Sequence, residues 1–342
     1  LGVLWIALFA LSFFWSDNKA YWAEHVQVKL PILLLPLAFA FIPAFTGKHL
    51  KVYTIALCIT LLAAVGYSAF FLLQNPAHYI EGYRFSNVLP TLPESEHIRF
   101  TLALALGVVW CFYYYPSAES RGMKLFLAGC LLLFIVAIHV YAVRTGLLAF
   151  YIFISGYLIY LLFQKRTRVL SSVSIVFPIL ASYWAFRFIP TLRLRVEHFK
   201  WSVMMFENRE MLPEYGDIGR YISYDIAVKI IREHPVAGVG AGDLFSEMAD
   251  RYEQFYPHID SRLYLVPHNQ FLIVAVAAGL PAMVLFGIWL FYPLKEIRRN
   301  REGFFFLITF LILLIPIMVE PILEIQFGLF VFIFFLLWQR QT

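Results

Sequence analysis

Apolar residues gather in this chain into long unbroken runs, and polar residues are confined to the gaps between them. Crossing the hydrocarbon of a bilayer takes about 20 helical residues, with roughly 17 to 25 tolerated. Runs of that kind fall at about 1–15, 29–45, 52–73, 98–115, 123–143, 146–163, 168–189, 268–292, 303–319 and 323–338. The pattern predicts an all-α polytopic membrane protein with about ten spanning helices. The first run is short and opens at Leu1 with no methionine before it, which reads as a processed or clipped start.

One block departs from the pattern. Residues 190–267, from Pro190 to Pro267, are polar enough to sit in water, and they separate seven predicted spans (1–189) from three (268–342). The periodicity inside the block predicts three short helices. The first covers about 191–206. The second covers about 220–233, with Asp217 upstream as a cap and Ile222, Ile226 and Ile230 on one face. His234-Pro235 stops that helix, and Gly238, Gly240 and Gly242 then form a flexible turn before a third helix over about 243–256. The apolar faces of these helices need cover from the membrane surface or the bundle. Of the shorter polar stretches, 16–28 is polar-aromatic, as at a headgroup level, and 75–97 carries Asn-Pro, Glu-Gly and Leu-Pro breaks that predict irregular chain.

Composition agrees: 61% of residues are hydrophobic and 14% charged, at a mean hydropathy of +0.73, where a soluble domain carries roughly 25% charged residues. The net charge of +5 says less than its placement. Alternate short loops hold twelve basic residues (Lys48, Lys51, Arg121, Lys124, Lys165, Arg166, Arg168, Lys295, Arg298, Arg299, Arg301, Arg340) against five in the others (Lys19, Lys29, Arg84, Arg99, Arg144). The positive-inside bias puts the first set in the cytoplasm and the polar block outside, which in a bacterial inner membrane means the periplasm. The block's own nine basic residues do not count, because long loops cross regardless of charge. Cys58, Cys111 and Cys130 lie in apolar runs and read as inert core thiols.

Three basic residues stand out. Pro267 suits the first position of a helix, so His268 is expected in its first turn, where the positive end of the dipole lowers a histidine pKa. A neutral imidazole there suits a proton acceptor, although a headgroup-level histidine without chemistry fits the spacing as well. Gly279, further along the same face, allows close helix contact. Arg144 lies in a minimal turn between two apolar runs, and an interfacial snorkelling anchor is its plainer reading. Arg220 opens the second helix of the block beside Tyr221 and Tyr224, and by itself reads as a solvated arginine. The predicted topology puts all three near helix starts on one side of the membrane. Two guanidinium forks with helix-start N–H groups suit a diphosphate, and a neutral histidine suits an attacking hydroxyl. Glu320 and Glu324 flank Pro321 at an outer turn and are expected to pair with Arg144 or an arginine of the block in a structural role. Gly-Val-Gly-Ala-Gly-Asp at 238–243 is close to a dinucleotide loop, but Asp243 holds the place of the third glycine and no strand precedes it. Neither a P-loop nor a metal-ligand motif is present, so no cofactor and no metal are expected.

Together these segments carry a likeness. His268-Asn-Gln-Phe-Leu with Gly279 resembles the histidine motif of the O-antigen ligase and polymerase superfamily. Arg220 through His234-Pro-Val-Ala-Gly-Val-Gly resembles its arginine helix and glycine segment, Arg144-Thr-Gly-Leu-Leu-Ala its outer arginine motif, and Glu320 to Phe327 the stretch before its last span. The likeness covers about 140–335 and more weakly Trp15-Ser-Asp and Lys29-Leu-Pro. Val143 stands where many relatives have serine. The resemblance implies a C-type glycosyltransferase-like fold with a helical periplasmic loop domain over 190–267. It also implies more spans than are read here, with two expected before Leu1. By this likeness a glycan on undecaprenyl diphosphate is transferred, without metal and with inversion, to an acceptor sugar hydroxyl, foremost that of lipid A core. Arg144 and Arg220 would hold the diphosphate and His268 would activate the hydroxyl or orient the donor. Lys29, Tyr221, Tyr224 and Asn269 complete the set expected to touch substrate. A polysaccharide polymerase or a protein O-oligosaccharyltransferase shares these motifs. A transporter or flippase of lipid-linked glycans, a different class, predicts deep charged residues and repeat symmetry, whereas His139 is the lone titratable residue at depth.

Overall fold

The computed structural model describes residues 1–43, 45–85, 87–92, 97–164, 176–207, 216–298 and 300–341. Every regular element among them is helical. In chain order they are α1 (Gly2–Leu11), α2 (Lys19–Lys29), α3 (Pro31–Phe41), α4 (Gly47–Gln74) and α5 (Pro76–Gly82). Next come α6 (His97–Tyr114), α7 (Arg121–Tyr141), α8 (Arg144–Leu162), α9 (Val176–Phe188) and α10 (Pro190–Glu207). The rest are α11 (Gly216–Glu233), α12 (Leu244–Phe255), α13 (Gln270–Phe291), α14 (Arg301–Val319) and α15 (Gln326–Gln341), with short 3-10 turns between some of them.

Seven of the described helical stretches are long and apolar enough to cross a membrane, and two shorter apolar ones lie at Gly2–Phe14 and Gly328–Leu337. Of the span expected at 168–189, the described part is α9, and the rest lies outside the described residues. The chain is an all-α polytopic membrane protein. Both shorter polar stretches hold a helix started by an asparagine cap, although 75–97 was expected to be irregular. Asn18 Oδ1 accepts from Tyr21 N at 3.0 Å, so the polar-aromatic stretch becomes α2. Asn75 Oδ1 accepts from His78 N at 3.2 Å with Pro76 behind it, which starts α5.

The chain forms two compact units, interleaved in sequence. One comprises Leu1–Pro43, Ser202–Ile297 and Leu314–Gln341. In it α1 and α11 pack on α13, and α3 packs on α15. Trp5, fully buried, lies against Phe286 and Trp289 with ring centroids 5.0 and 5.4 Å away. Ile222, Ile226 and Ile230 are buried on one face of α11, so the apolar stripe of this polar-block helix is covered by a helix of the bundle.

The central feature of this unit is a break in α13. Gly279 adopts φ 81° and ψ 172°, outside helical space, and Pro281 follows it. The break exposes carbonyls that the helix no longer uses. Val239 N and Gly240 N donate to Val276 O and Ala277 O at 2.8 and 3.0 Å, and Leu280 N donates to Pro235 O at 2.8 Å. The chain after His234-Pro235 thus fills the kink, as non-helical backbone at membrane depth must be buried in protein. The approach is backbone on backbone: a Cβ at Gly238 would lie 2.5 Å from Val276 O. The same segment then docks on the α1–α2 corner. Ala241 N and Gly242 N donate to Ser12 Oγ and Ser16 Oγ, each at 3.1 Å, and Asp243 accepts from Asp17 N and Asn18 N at 2.7 and 2.9 Å. The glycines that resemble a dinucleotide loop therefore serve as a clamp.

The other unit comprises Ala44–Trp201 and Arg298–Leu313. Its buried centre is α6, packed on α4, α7 and α8. A Cβ at Gly107 would meet Leu61 at 2.6 Å, and one at Gly146 would meet Thr101 at 2.5 Å, so glycine lets the helices approach. Ala142 at φ 50° and an extended Val143 turn the chain from α7 into α8. His139 is satisfied within this unit, by Ile135 O at 2.7 Å and Tyr151 Oη at 2.9 Å.

Candidate active site

Three segments of the first unit meet around the carboxylate of Glu320. Arg220, on α11, places Nη2 on Glu320 Oε1. His268 places Nε2 3.8 Å from Glu320 Oε2, too long for a hydrogen bond but close enough for charge to be felt. Tyr224, one turn along α11 from Arg220, donates its hydroxyl to the His268 carbonyl at 2.7 Å. Asn269 donates to Met318 O at 3.1 Å, which ties the histidine segment to the end of α14. The side chains of Arg220, His268 and Glu320 are 30%, 17% and 15% exposed, so the cluster is sheltered but reachable.

The local structure corrects two expectations. His268 is not in the first turn of a helix. Asn269 is the N-cap of α13, its Oδ1 accepting from Phe271 N and Leu272 N at 2.9 and 3.2 Å, and His268 stands just before it. An asparagine caps more strongly than proline or histidine, because its carbonyl satisfies N–H groups the first turn leaves open. Arg220 does not open its helix either. The helix α11 begins at Gly216, so Arg220 lies inside it and gains nothing from free N–H groups; Asp217, the expected cap, has a side chain outside the described residues.

His268 Nδ1 lies 3.0 Å from Val266 O. A carbonyl only accepts, so Nδ1 carries the proton, and in the neutral ring Nε2 keeps its lone pair. Burial is the largest influence on the ring and pushes its pKa below the ordinary value; the Glu320 carboxylate raises it, the Arg220 guanidinium lowers it and the Val266 bond raises it. The net direction favours a neutral proton acceptor at neutral pH. The Tyr224 hydroxyl is held above its ordinary pKa, chiefly by burial, and remains a donor. Tyr221 is 58% exposed on the same helix.

Behind this cluster stands a second one that sequence reasoning saw only in part. Glu324 Oε2 receives Lys29 Nζ and His25 Nδ1, each at 2.7 Å, and its Oε1 receives Gln270 Nε2 at 2.6 Å. Gln270 Oε1 accepts from Leu323 N at 3.1 Å. Lys29, expected to touch substrate, is fully buried with its ammonium on Glu324 and 4.2 Å from the Phe9 ring. His25 and Gln270 were missed; the readable signal was a glutamine at the mouth of an apolar run, which burial obliges to find a partner. Lys29→Met is expected to cost about 3–5 kcal/mol, because it strips a buried carboxylate of its cation. Adding Glu324→Gln should recover much of the loss, read as melting temperature in detergent. A single variant that melts with the wild type would show that the pair contributes nothing.

Arg144 belongs to the other unit, at the first position of α8, with its guanidinium carbon 5.2 Å from the Phe199 ring centroid. There α10 is docked by Thr191 Oγ1, which donates to Val140 O at 2.7 Å. Gly279 does more than permit helix contact, since it breaks α13 where the clamp enters.

Residues 129–287 match the family described as O-Antigen ligase, a stretch that includes Arg144, Arg220, His268 and Gly279. No curated protein matches the chain.

Proposed function

Starting from a chain that carries the O-antigen ligase family domain, we propose that it transfers a glycan from undecaprenyl diphosphate to an acceptor sugar hydroxyl, foremost that of lipid A core, at the periplasmic face of a bacterial inner membrane. The observation that carries the reading is the Arg220–Glu320–His268 cluster: a guanidinium and an imidazole with a bare Nε2, sheltered and linked through one carboxylate. In this reading the acceptor oxygen attacks the anomeric carbon from the face opposite the diphosphate, and His268 Nε2 takes its proton. Arg220 stabilises the charge that grows on the departing diphosphate. Arg144 is assigned to the diphosphate too, on the likeness of its motif. Tyr221 and Asn269 are assigned to substrate contact, while Lys29 and Glu324 hold the segment behind His268. The loop domain of residues 190–267 is assigned to the periplasm by the charge distribution of the short loops. A transporter reading gains no support from His139, whose ring nitrogens are both engaged.

The test is purified protein with a lipid-diphosphate glycan, offered lipid A core or a second donor molecule, with products identified by mass. Glycan on lipid A core is the expected result. A lengthened lipid-linked glycan would make the protein a polymerase, and intact donor with both acceptors would remove the reading. Transfer is expected to persist in EDTA; loss that a divalent ion restores would contradict a metal-free mechanism.

A further inference from the structure

We infer that Glu320 is a positioning residue of the reaction, the counter-ion that stabilises the imidazolium formed as His268 takes the acceptor's proton. The inference rests on the reading of His268 as that proton acceptor, and it assigns the carboxylate a role beyond a structural tie. Its ground is how the two oxygens are divided. Oε1 takes Arg220, whereas Oε2 is turned to the nitrogen that the Val266 bond leaves unprotonated, at 3.8 Å. The Arg220 bond fixes the plane of the carboxylate.

Among the described residues, the groups facing His268 are few. From α11 come Arg220 and Tyr224, the latter through its hydroxyl on the His268 carbonyl; from the end of α14 comes Glu320; from the segment before α13 comes the Val266 carbonyl. Glu320 is the anion among them. During transfer the acceptor O–H bond breaks as its oxygen bonds to the anomeric carbon. The electron pair of the carbon–oxygen bond to phosphate leaves with the diphosphate, and the proton arrives on Nε2. A positive charge therefore appears on a sheltered ring beside a guanidinium, and among the described residues the Glu320 carboxylate offsets it. A second consequence follows from the sharing. When a diphosphate draws on Arg220, less of the Glu320 charge is spent on the guanidinium and more acts on the ring, so donor binding would prepare the base.

The test is the pH dependence of transfer by Glu320→Gln, which keeps size and hydrogen bonding and removes charge. The probe is a short polyprenyl-diphosphate glycan with lipid A core. Turnover is expected to fall about 10- to 100-fold, part of the roughly 10²–10⁴ that a positioned base supplies. The acid limb of the profile is expected to move to lower pH, because loss of the carboxylate lowers the His268 pKa and a lower pKa keeps the base deprotonated further down. Glu320→Asp should return the limb toward the wild-type position. A purely structural tie would lower activity without moving the limb. An E320Q enzyme with the wild-type rate and limb overturns the inference, as does a slowed one whose limb stays in place. If E320Q does not accumulate, the limb is read on Glu320→Ala, which also removes the charge; a shift to lower pH supports the inference and an unmoved limb ends it. His268→Ala run in parallel separates the two levels. An active H268A removes the proton-acceptor reading itself, whereas an inactive H268A beside an unaltered E320Q removes only the role of Glu320.

Discussion

Replacing His268 or Arg220 with alanine is expected to abolish glycan transfer while the protein still inserts and accumulates. A positioned base contributes roughly 10²–10⁴ in rate, and a donor aimed at developing negative charge about 10²–10³. Losses of that size would be plain in an assay of the proposed transfer. Folding should survive both changes. His268 precedes its helix, and the cap that starts α13 is the neighbouring Asn269. Arg220 is 30% exposed, so its removal leaves Glu320 within reach of water. Arg220→Lys should recover little, since an ammonium cannot reproduce the guanidinium fork on phosphate. The measurement is transfer to a sugar acceptor by purified variants, with membrane yield as the control. Wild-type turnover by either alanine variant, at wild-type yield, would remove its assigned role.

The second large effect is structural. Gly279→Ala is expected to prevent the protein from accumulating. The backbone there lies at φ 81° and ψ 172°, a region essentially confined to glycine. A Cβ at this position would fall 2.0 Å from Val236 O, and backbone cannot step aside as a side-chain tip can. Relief would require withdrawing the 235–240 segment and its bonds to Val276, Ala277 and Leu280. Strain and lost hydrogen bonds together place the cost at roughly 4 kcal/mol or more, the range reached only by disruptive substitutions. Because that segment follows α11 directly, a variant that did accumulate would have shifted Arg220 and would transfer poorly. Near-normal yield and melting temperature for G279A would refute the clamp. Gly287→Ala is the matched control, as its added Cβ meets nothing nearer than Phe271 at 3.6 Å.

Members of the candidate site were legible in the sequence one by one, in an uneven way. His268 and Glu320 could be singled out as polar residues at the edge of an apolar run, and Arg220 as the expected start of a helix in the polar block. Their partnership could not, since no spacing along the chain links positions 220, 268 and 320. The start of α13 was misplaced by three residues: Pro267 announces a helix, but Asn269 is its cap and Gln270 its first residue. The glycines at 238–242 read as a flexible turn, and only the tertiary structure shows that they are held against the kink of α13 and the α1–α2 corner. Lys29 shows the reverse error. A lysine at the edge of a span looks available to an anion, yet its ammonium is already met by Glu324.

The sequence by itself determined that the chain lives in a membrane and builds its spans from helices. Hydrocarbon forces every run of about twenty apolar residues to satisfy its backbone internally, and that demand is local. It also determined which residues have chemistry to offer. The tertiary structure decided which of them meet, because a hydrogen bond or a shared carboxylate joins groups across a hundred positions and is set by how the helices pack, not by what lies next along the chain.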